Sequence, residues 1–250
     1  VHSVKSTLDA IEDRGIDAAY FWDNLYYNYV PADYEDAKRN RAAVDFLVSG
    51  VFSADYVNVV SPTFLREIIE GRHAFVDYHL RKELACKYDT GCATGILNAP
   101  DPTLDPETDD CILCRYDSNT FSAAKKRNKI AFQNSLGLIR DAQAPLFFWP
   151  SRLDPYQKGC SLLADILPQV VAKYRNDNLQ IVFVANGEYQ SVFKDIVRSR
   201  DLCRRVAVLD FSEPTERMGY AASDFILMPS RFEPCGLPQM IGPKYGTLPV

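Results

Sequence analysis

The chain has 250 residues, 47% of them hydrophobic and 24% charged, with a formal net charge of −5. That length suits one or two domains with sizeable cores, and that composition excludes a disordered or collagen-like chain. Mild acidity offers no basic face to nucleic acid or an anionic membrane. No apolar run approaches the roughly 18 residues that span a bilayer, so a soluble chain is expected.

Seven cysteines form an odd, scattered set, as expected of free thiols in a reducing compartment. The chain opens on Val1 with no signal pattern behind it, and Thr247-Leu248-Pro249-Val250 reads like the middle of a buried strand. Both ends look cut, and the expectation is a fragment of something longer.

In chain order, Val57-Asn58-Val59-Val60 reads as a strand, and Ser61-Pro62 as the cap and first position of a helix. Residues 99–119 are rich in proline and aspartate and predict an irregular connection between domains. A helix from about Ser122 to Leu136, closed by Gly137, is expected to dock on the second domain. Pro145 to Trp149 is a short apolar run, and after a polar turn Leu162, Leu163, Ile166, Leu167, Val170, Val171 and Tyr174 form one helical face. Pro168 inside that stretch is expected to kink or divide it. Ile181 to Ala185, Val206 to Leu209, Phe225 to Met228 and Leu248 to Val250 complete a series of apolar strands. Helices separate them, one from about Tyr189 to Ser199 and one opened by Pro214 with Glu213 and Glu216 in its first turn. Continuous apolar strands alternating with helices predict a doubly wound α/β domain, its parallel sheet buried on both faces.

Ligands of open α/β sheets lie outside the carboxyl ends of the strands, and three polar turns fall there. The first, Ser151 to Gly159, carries Arg152 and Lys158 ahead of a glycine and a helix. Such a pair can hold a diphosphate, Arg through two-pronged contacts and Lys as a mobile point charge, or can be ordinary surface cations. The second, Ser230 to Leu237, places Glu233 before Gly236. That carboxylate can accept hydrogen bonds from sugar hydroxyls or cap the following helix, whose first N–H groups suit oxygen or phosphate. The third, Asp210 to Glu213, offers Phe211 as a stacking face for a base or as a core residue.

The run from Met228 to Val250, MPSRFEPCGLPQMIGPKYGTLPV, resembles the signature of bacterial glycogen synthases and plant starch synthases, glycosyltransferase family 5 with a GT-B fold. Three further stretches resemble successive landmarks of that family, in its order: VDFLVSGVFSADYVNVVSPTFLREI at 44–68, GILNAPDPTLDPETD at 95–109 and PSRLDPYQKG at 150–159. The resemblance covers roughly residues 44–250. It implies a GT-B protein of two Rossmann-like doubly wound parallel-sheet domains facing a cleft, the N-terminal one incomplete. Residues 1–98 would be the partial acceptor-side domain, 99–119 the connection, and 120–250 a truncated nucleotide-sugar-binding domain.

It further implies a retaining glucosyltransferase that moves glucose from ADP-glucose or UDP-glucose to the nonreducing end of an α-1,4-glucan. Arg152 and Lys158 would neutralise the leaving diphosphate, and Glu233 would be the essential carboxylate near the transferred glucose. Cys235 would neighbour it, Gly236 and Leu237 would give main-chain contacts to the sugar, and Phe211 would stack on the base where the family has a Tyr. Asn98 would reach the donor sugar. Val1-His2-Ser3 resembles a remnant of the family's His-Asn motif, which would make His2 the residue touching glucose; otherwise His2 is an ordinary terminal histidine. The chain departs from the family in its Arg152–Lys158 spacing, in Pro238, which has no N–H for phosphate, and in lacking the Lys-x-Gly-Gly-Leu loop. Ile241 stands where the sister family with the same fold has a second Glu, which disfavours sucrose-synthase-like transferases.

No Asp-x-Asp pair stands at a strand end, so transfer without a required divalent ion, and with no cofactor, is expected. Cys111 and Cys114 form a CxxC pair, but the spacing of Cys86 and Cys92 does not complete a zinc site. The aromatic run Tyr20, Phe21, Trp22, Tyr26, Tyr27, Tyr29 and Tyr34 suits either a platform for sugar rings or a loop packed on its own domain. No nucleic acid or membrane partner is called for, and a cytoplasmic protein is expected, or a plastid one if from a plant. The reading from another class is a noncatalytic nucleotide-sugar or glucan-binding relative or truncated product.

Overall fold

The structure is a computed structural model that describes residues 5–250. The chain divides into two compact units, one ending at Asn98 and the other running Ala99–Val250. In the first unit, β1 (Lys5–Ser6) pairs antiparallel with β2 (Val44–Asp45), and α1 (Leu8–Glu12), α2 (Tyr34–Arg39) and α3 (Phe46–Ser53) pack around them. Then β3 (Val57–Val59) and β4 (Ala93–Gly95) run parallel, joined through α4 (Pro62–Ile69) and α5 (Tyr78–Asp89). The Ser61 hydroxyl accepts the Phe64 N–H at 3.2 Å and Pro62 opens α4, the cap and start that the sequence predicts.

The second unit holds the larger sheet. After α6 (Phe121–Ser135) come β5 (Leu146–Trp149), α7 (Cys160–Lys173), β6 (Gln180–Val184), α8 (Gln190–Ser199) and β7 (Val206–Leu209). Then follow α9 (Glu213–Ala222), β8 (Phe225–Ile226), α10 (Leu237–Lys244) and β9 (Leu248–Pro249). All pairings are parallel, in the order β7-β6-β5-β8-β9. Period-two alternation sends Phe148, Val182, Val184 and Ile226 into one core with Phe132, Tyr220 and Tyr245. Trp149, Ile181 and Phe183 enter a second core with Leu163, Leu167, Val171 and Phe193. Both faces are therefore covered, which is why the strands read as unbroken apolar runs. Of the two outcomes expected for Pro168, a kink or a division, the helix is not divided: α7 runs unbroken through it. Leu163, Leu167 and Val171 are buried along one face of it, and that packing outweighs the hydrogen bond that a proline removes.

Residues 99–119 belong to the second unit and join its core through buried Ile112 and Tyr116, and the Tyr116 hydroxyl donates to the Tyr245 carbonyl at 3.0 Å. Helix α6 lies against α9 through side chains that look solvated in sequence. Lys125 is buried and donates to the carbonyls of Tyr220, Ala221 and Tyr245 and to the Thr247 hydroxyl, capping the ends of α9 and α10. Lys129 pairs with Asp224 at 2.7 Å, and the same carboxylate accepts the Leu146 N–H at the start of β5.

On α9, burial pushes the Glu216 carboxyl up to about 7, with Glu213 adding and Arg217 opposing. The folded state therefore holds that proton more tightly than the unfolded one. This contribution is fully present below the ordinary carboxylate range and is lost as pH rises through about 7. Glu216→Gln removes the ionisation, so it is expected to stabilise the chain at pH 8 by on the order of 1–3 kcal/mol and to change little at pH 4. Thermal melts at the two pH values check this, and an equal effect at both would contradict it.

Candidate functional site

The sheet order reverses direction at β5, whose neighbours are β6 on one side and β8 on the other. The loops leaving β5 and β8 thus part at a topological switch point, where open α/β sheets place their ligands. The first loop is fixed along its length. The Trp149 indole N–H donates to the Ser151 carbonyl at 2.7 Å, Leu153 is fully buried, and the Asp154 carboxylate accepts the N–H groups of Tyr156 and Gln157. The two loops then meet, as the Arg231 N–H donates to the Gln157 carbonyl at 2.8 Å. Gly159, at φ +69°, lies so close that a Cβ there would stand 2.1 Å from the Pro229 carbonyl oxygen.

At this meeting point the Lys158 ammonium donates to Glu233 Oε2 at 2.6 Å. The Lys158 side chain is 9% exposed and that of Glu233 22%, so the pair is largely out of solvent. The Ser230 hydroxyl donates to the same oxygen at 3.1 Å. Glu233 does not cap α10, the alternative that the sequence leaves open; Gly236 does, at φ +74°. Leu237 and Pro238 are the first two residues of that helix, so its second position has no N–H to offer. Cys235 is half-buried, and its carbonyl accepts from the Gln239 amide at 3.2 Å.

Arg152, near the start of the first loop, is exposed. It lines a cavity of about 580 Å³ with Asp154, Asn186, Gly187, Glu188 and Phe211. Phe211 is 52% exposed, so its ring edges that cavity and does not pack in the core. Asn98 is exposed and ends the first unit after β4, while His2 lies outside the described residues.

Asn186-Gly187-Glu188, a short turn after β6 that nothing in its sequence marks as functional, joins three loops. The Asn186 carbonyl accepts the Leu153 N–H at 3.0 Å and its side chain accepts the Phe211 N–H at 3.0 Å. A Cβ on Gly187 would stand 2.6 Å from the Leu153 carbonyl oxygen. The available signal was an Asn-Gly directly after a buried strand. Among the described residues no group of three or more His, Cys, Asp or Glu could hold a metal ion, and no helix is long and apolar enough to cross a membrane. The seven cysteines form no disulfide.

The parallel sheet with its switch-point loops is that of the GT-B fold. Residues 144–246 match the family described as Glycosyl transferases group 1. More narrowly, the chain is similar in sequence to bacterial glycogen synthases. It is 38% identical over 225 residues to the glycogen synthase of Elusimicrobium minutum, covering 89% of this chain and 44% of that protein. It is 40% identical over 210 residues to that of Nitrosomonas europaea, covering 83% of this chain and 40% of that protein. The chain thus spans less than half the length of the glycogen synthases it matches. Among solved structures, the catalytic domain of starch synthase IV from Arabidopsis thaliana, bound to ADP and acarbose, superposes with a TM-score of 0.74 at 24% identity. That likeness covers 98% of this chain and 47% of that one, and it shows the shared GT-B fold.

Gly159→Ala is expected to destabilise the second unit by roughly 3 kcal/mol or more, since it meets both a left-handed backbone and a carbonyl in contact. Gly137→Ala, at φ +68° with nothing within 4 Å, is expected to lose only about 1 kcal/mol. Denaturant titrations of the two variants check the contrast, and equal losses would mean that the loops do not press together at Gly159.

Proposed function

We propose that this chain carries the donor side of a retaining glucosyltransferase, one that moves glucose from ADP-glucose or UDP-glucose to the nonreducing end of an α-1,4-glucan. The observation that carries the reading is one loop at the switch point. It holds Lys158 against Glu233 at one end and presents Arg152 to an aromatic-edged cavity at the other. As the bond between glucose C1 and the diphosphate loosens, the sugar becomes oxocarbenium-like and negative charge grows on the leaving group. Arg152 meets that charge with a planar fork, and Lys158 has two N–H donors beyond the one given to Glu233. Cations held in place beforehand stabilise such charge without reorganising.

Glu233 accepts hydrogen bonds from the glucose hydroxyls, beside Cys235, and Gly236 and Leu237 offer main-chain contacts to the sugar. Phe211 stacks on the base. The incoming glucan hydroxyl attacks from the face that the diphosphate leaves, so the anomeric configuration is kept. The roles of Asn98 and His2 rest on the family resemblance alone. No divalent ion or other cofactor has a part in this scheme. The ADP in the starch synthase structure supports ADP-glucose over UDP-glucose as the donor. The scattered cysteines support a reducing compartment, the cytoplasm or a plastid.

One observation favours a second reading, a noncatalytic nucleotide-sugar or glucan-binding relative. Pro238 removes an N–H from the second position of α10, where a phosphate or sugar oxygen would be met.

Calorimetric titration with ADP, UDP and their glucose conjugates tests the proposal. One nucleotide family is expected to bind, about ten-fold or more weaker in Lys158→Ala, with no change on adding a chelator. Glu233→Ala is expected to keep nucleotide affinity within a few-fold while abolishing glucosyl transfer to glycogen. Binding without transfer in the parent chain would support the second reading. No nucleotide binding by a folded chain would overturn the proposal and would leave only the glucan-binding form of the second reading.

A further inference from the structure

The two loops that flank α6 are each clamped to it by a buried amide. Asn128 accepts the Cys114 N–H at 2.8 Å and donates to the Cys114 carbonyl at 2.9 Å. Gln133 accepts the Asp141 N–H at 2.9 Å and donates to the Asp141 carbonyl at 2.9 Å. Both amides are 0% exposed. Such reciprocal pairs fix irregular backbone, because each satisfies a donor and an acceptor at once. A cavity of about 540 Å³ is lined by both of these loops and by α6 itself. Its walls are set before any ligand arrives, which spares the ligand the cost of ordering them.

The side chains around this cavity are of two kinds. Lys126 and Arg127 from α6 and Arg140 from the second loop bring positive charge. Leu113, Ile130 and Ala131 supply an apolar part, and no acidic side chain lines the cavity. All three cations are exposed, and none makes a hydrogen bond or ion pair with another described residue. The carboxylate next in sequence to Arg140 is otherwise engaged, since Asp141 accepts from the Asn178 amide at 2.8 Å and the Gln143 N–H at 2.9 Å. Lys126 also borders a smaller cavity, where Lys129 and Asp224 already neutralise each other. Like charges gathered this way repel one another, on a chain whose net charge is −5, and an anion between them removes the repulsion.

The donors select the kind of anion. Arg meets oxyanions with paired N–H groups and Lys meets them as a point charge. A phosphate monoester has three terminal oxygens, enough to accept from all three side chains, whereas a carboxylate has two. A volume of this order is that of a small-molecule pocket, with room for more than the phosphate.

We propose that this cavity beside α6 binds a small phosphate monoester. Lys126, Arg127 and Arg140 hold the phosphate, and Leu113, Ile130 and Ala131 meet the carbon skeleton. The site shares no residue with the loops after β5 and β8, so it stands or falls separately from the donor-site reading.

Calorimetric titration of the chain at low ionic strength with phenyl phosphate, glycerol 3-phosphate and inorganic phosphate tests the site. Phenyl phosphate is expected to bind tightest and inorganic phosphate weakest, since an apolar ester group also covers the apolar residues. Arg127→Gln and Arg140→Gln are each expected to weaken phenyl phosphate binding by about ten-fold or more. Both side chains are exposed, so the melting temperature is expected to match that of the parent. Leu113→Ser is expected to weaken phenyl phosphate by a few-fold and to leave inorganic phosphate unchanged. Lys158→Ala is expected to bind phenyl phosphate like the parent. Binding lost in Lys158→Ala and kept in both Arg variants would place the phosphate at the donor loops and overturn the site. Equal binding of all three probes, or binding of none by a folded chain, would overturn it as well.

Discussion

The second unit turns on the contact between the loops that leave β5 and β8. Everything placed at the carboxyl edge of the sheet depends on how closely those loops approach. Gly159 permits the approach because it has no Cβ to meet the Pro229 carbonyl, and the Lys158–Glu233 ion pair closes it. A pair this far out of water carries a desolvation penalty, which good geometry and a further hydrogen bond offset. Ser230 supplies that bond to the same carboxylate oxygen. The arrangement fixes two oppositely charged groups on the edge of a site without leaving either to search for a partner.

The neighbouring cavity is held by the same logic of backbone contacts. Asn186 takes one N–H from the first loop and one from the turn after β7, so Arg152 and Phe211 face a common space from separately anchored segments. Beneath the sheet, Lys125 gathers the carbonyl ends of α9 and α10. The N-terminus of α10, where Gly236 and Leu237 stand, is thus set by a contact at the opposite end of the same helix.

Much of this unit was legible in the sequence because its strands are covered on both faces and so read as apolar runs. Loop positions followed from the strand ends, which is how Arg152, Lys158, Glu233 and Phe211 could be named. What joins them was not legible. Lys158 and Glu233 lie 75 residues apart, and no local periodicity marks such a pair. Asn186-Gly187 looks the same whether it is a plain turn or a three-way tie. Lys125, Asn128, Lys129 and Gln133 are polar side chains on a helix expected only to dock, yet all are buried, each satisfied by acceptors that the rest of the fold brings to it. In the first unit the strands are two or three residues long, too short to show a period. There the motif at 44–68 said more than propensity did.

A double-mutant cycle on Lys158→Met and Glu233→Gln, read by denaturant unfolding of the free chain, tests the central contact most directly. If the pair is closed and largely desolvated, each single change strands a partner, and the double variant recovers part of the loss. A coupling of about 1–3 kcal/mol is the predicted result. Additivity within about 0.5 kcal/mol would contradict the account, since it would mean that the two loops stand without the ion pair between them.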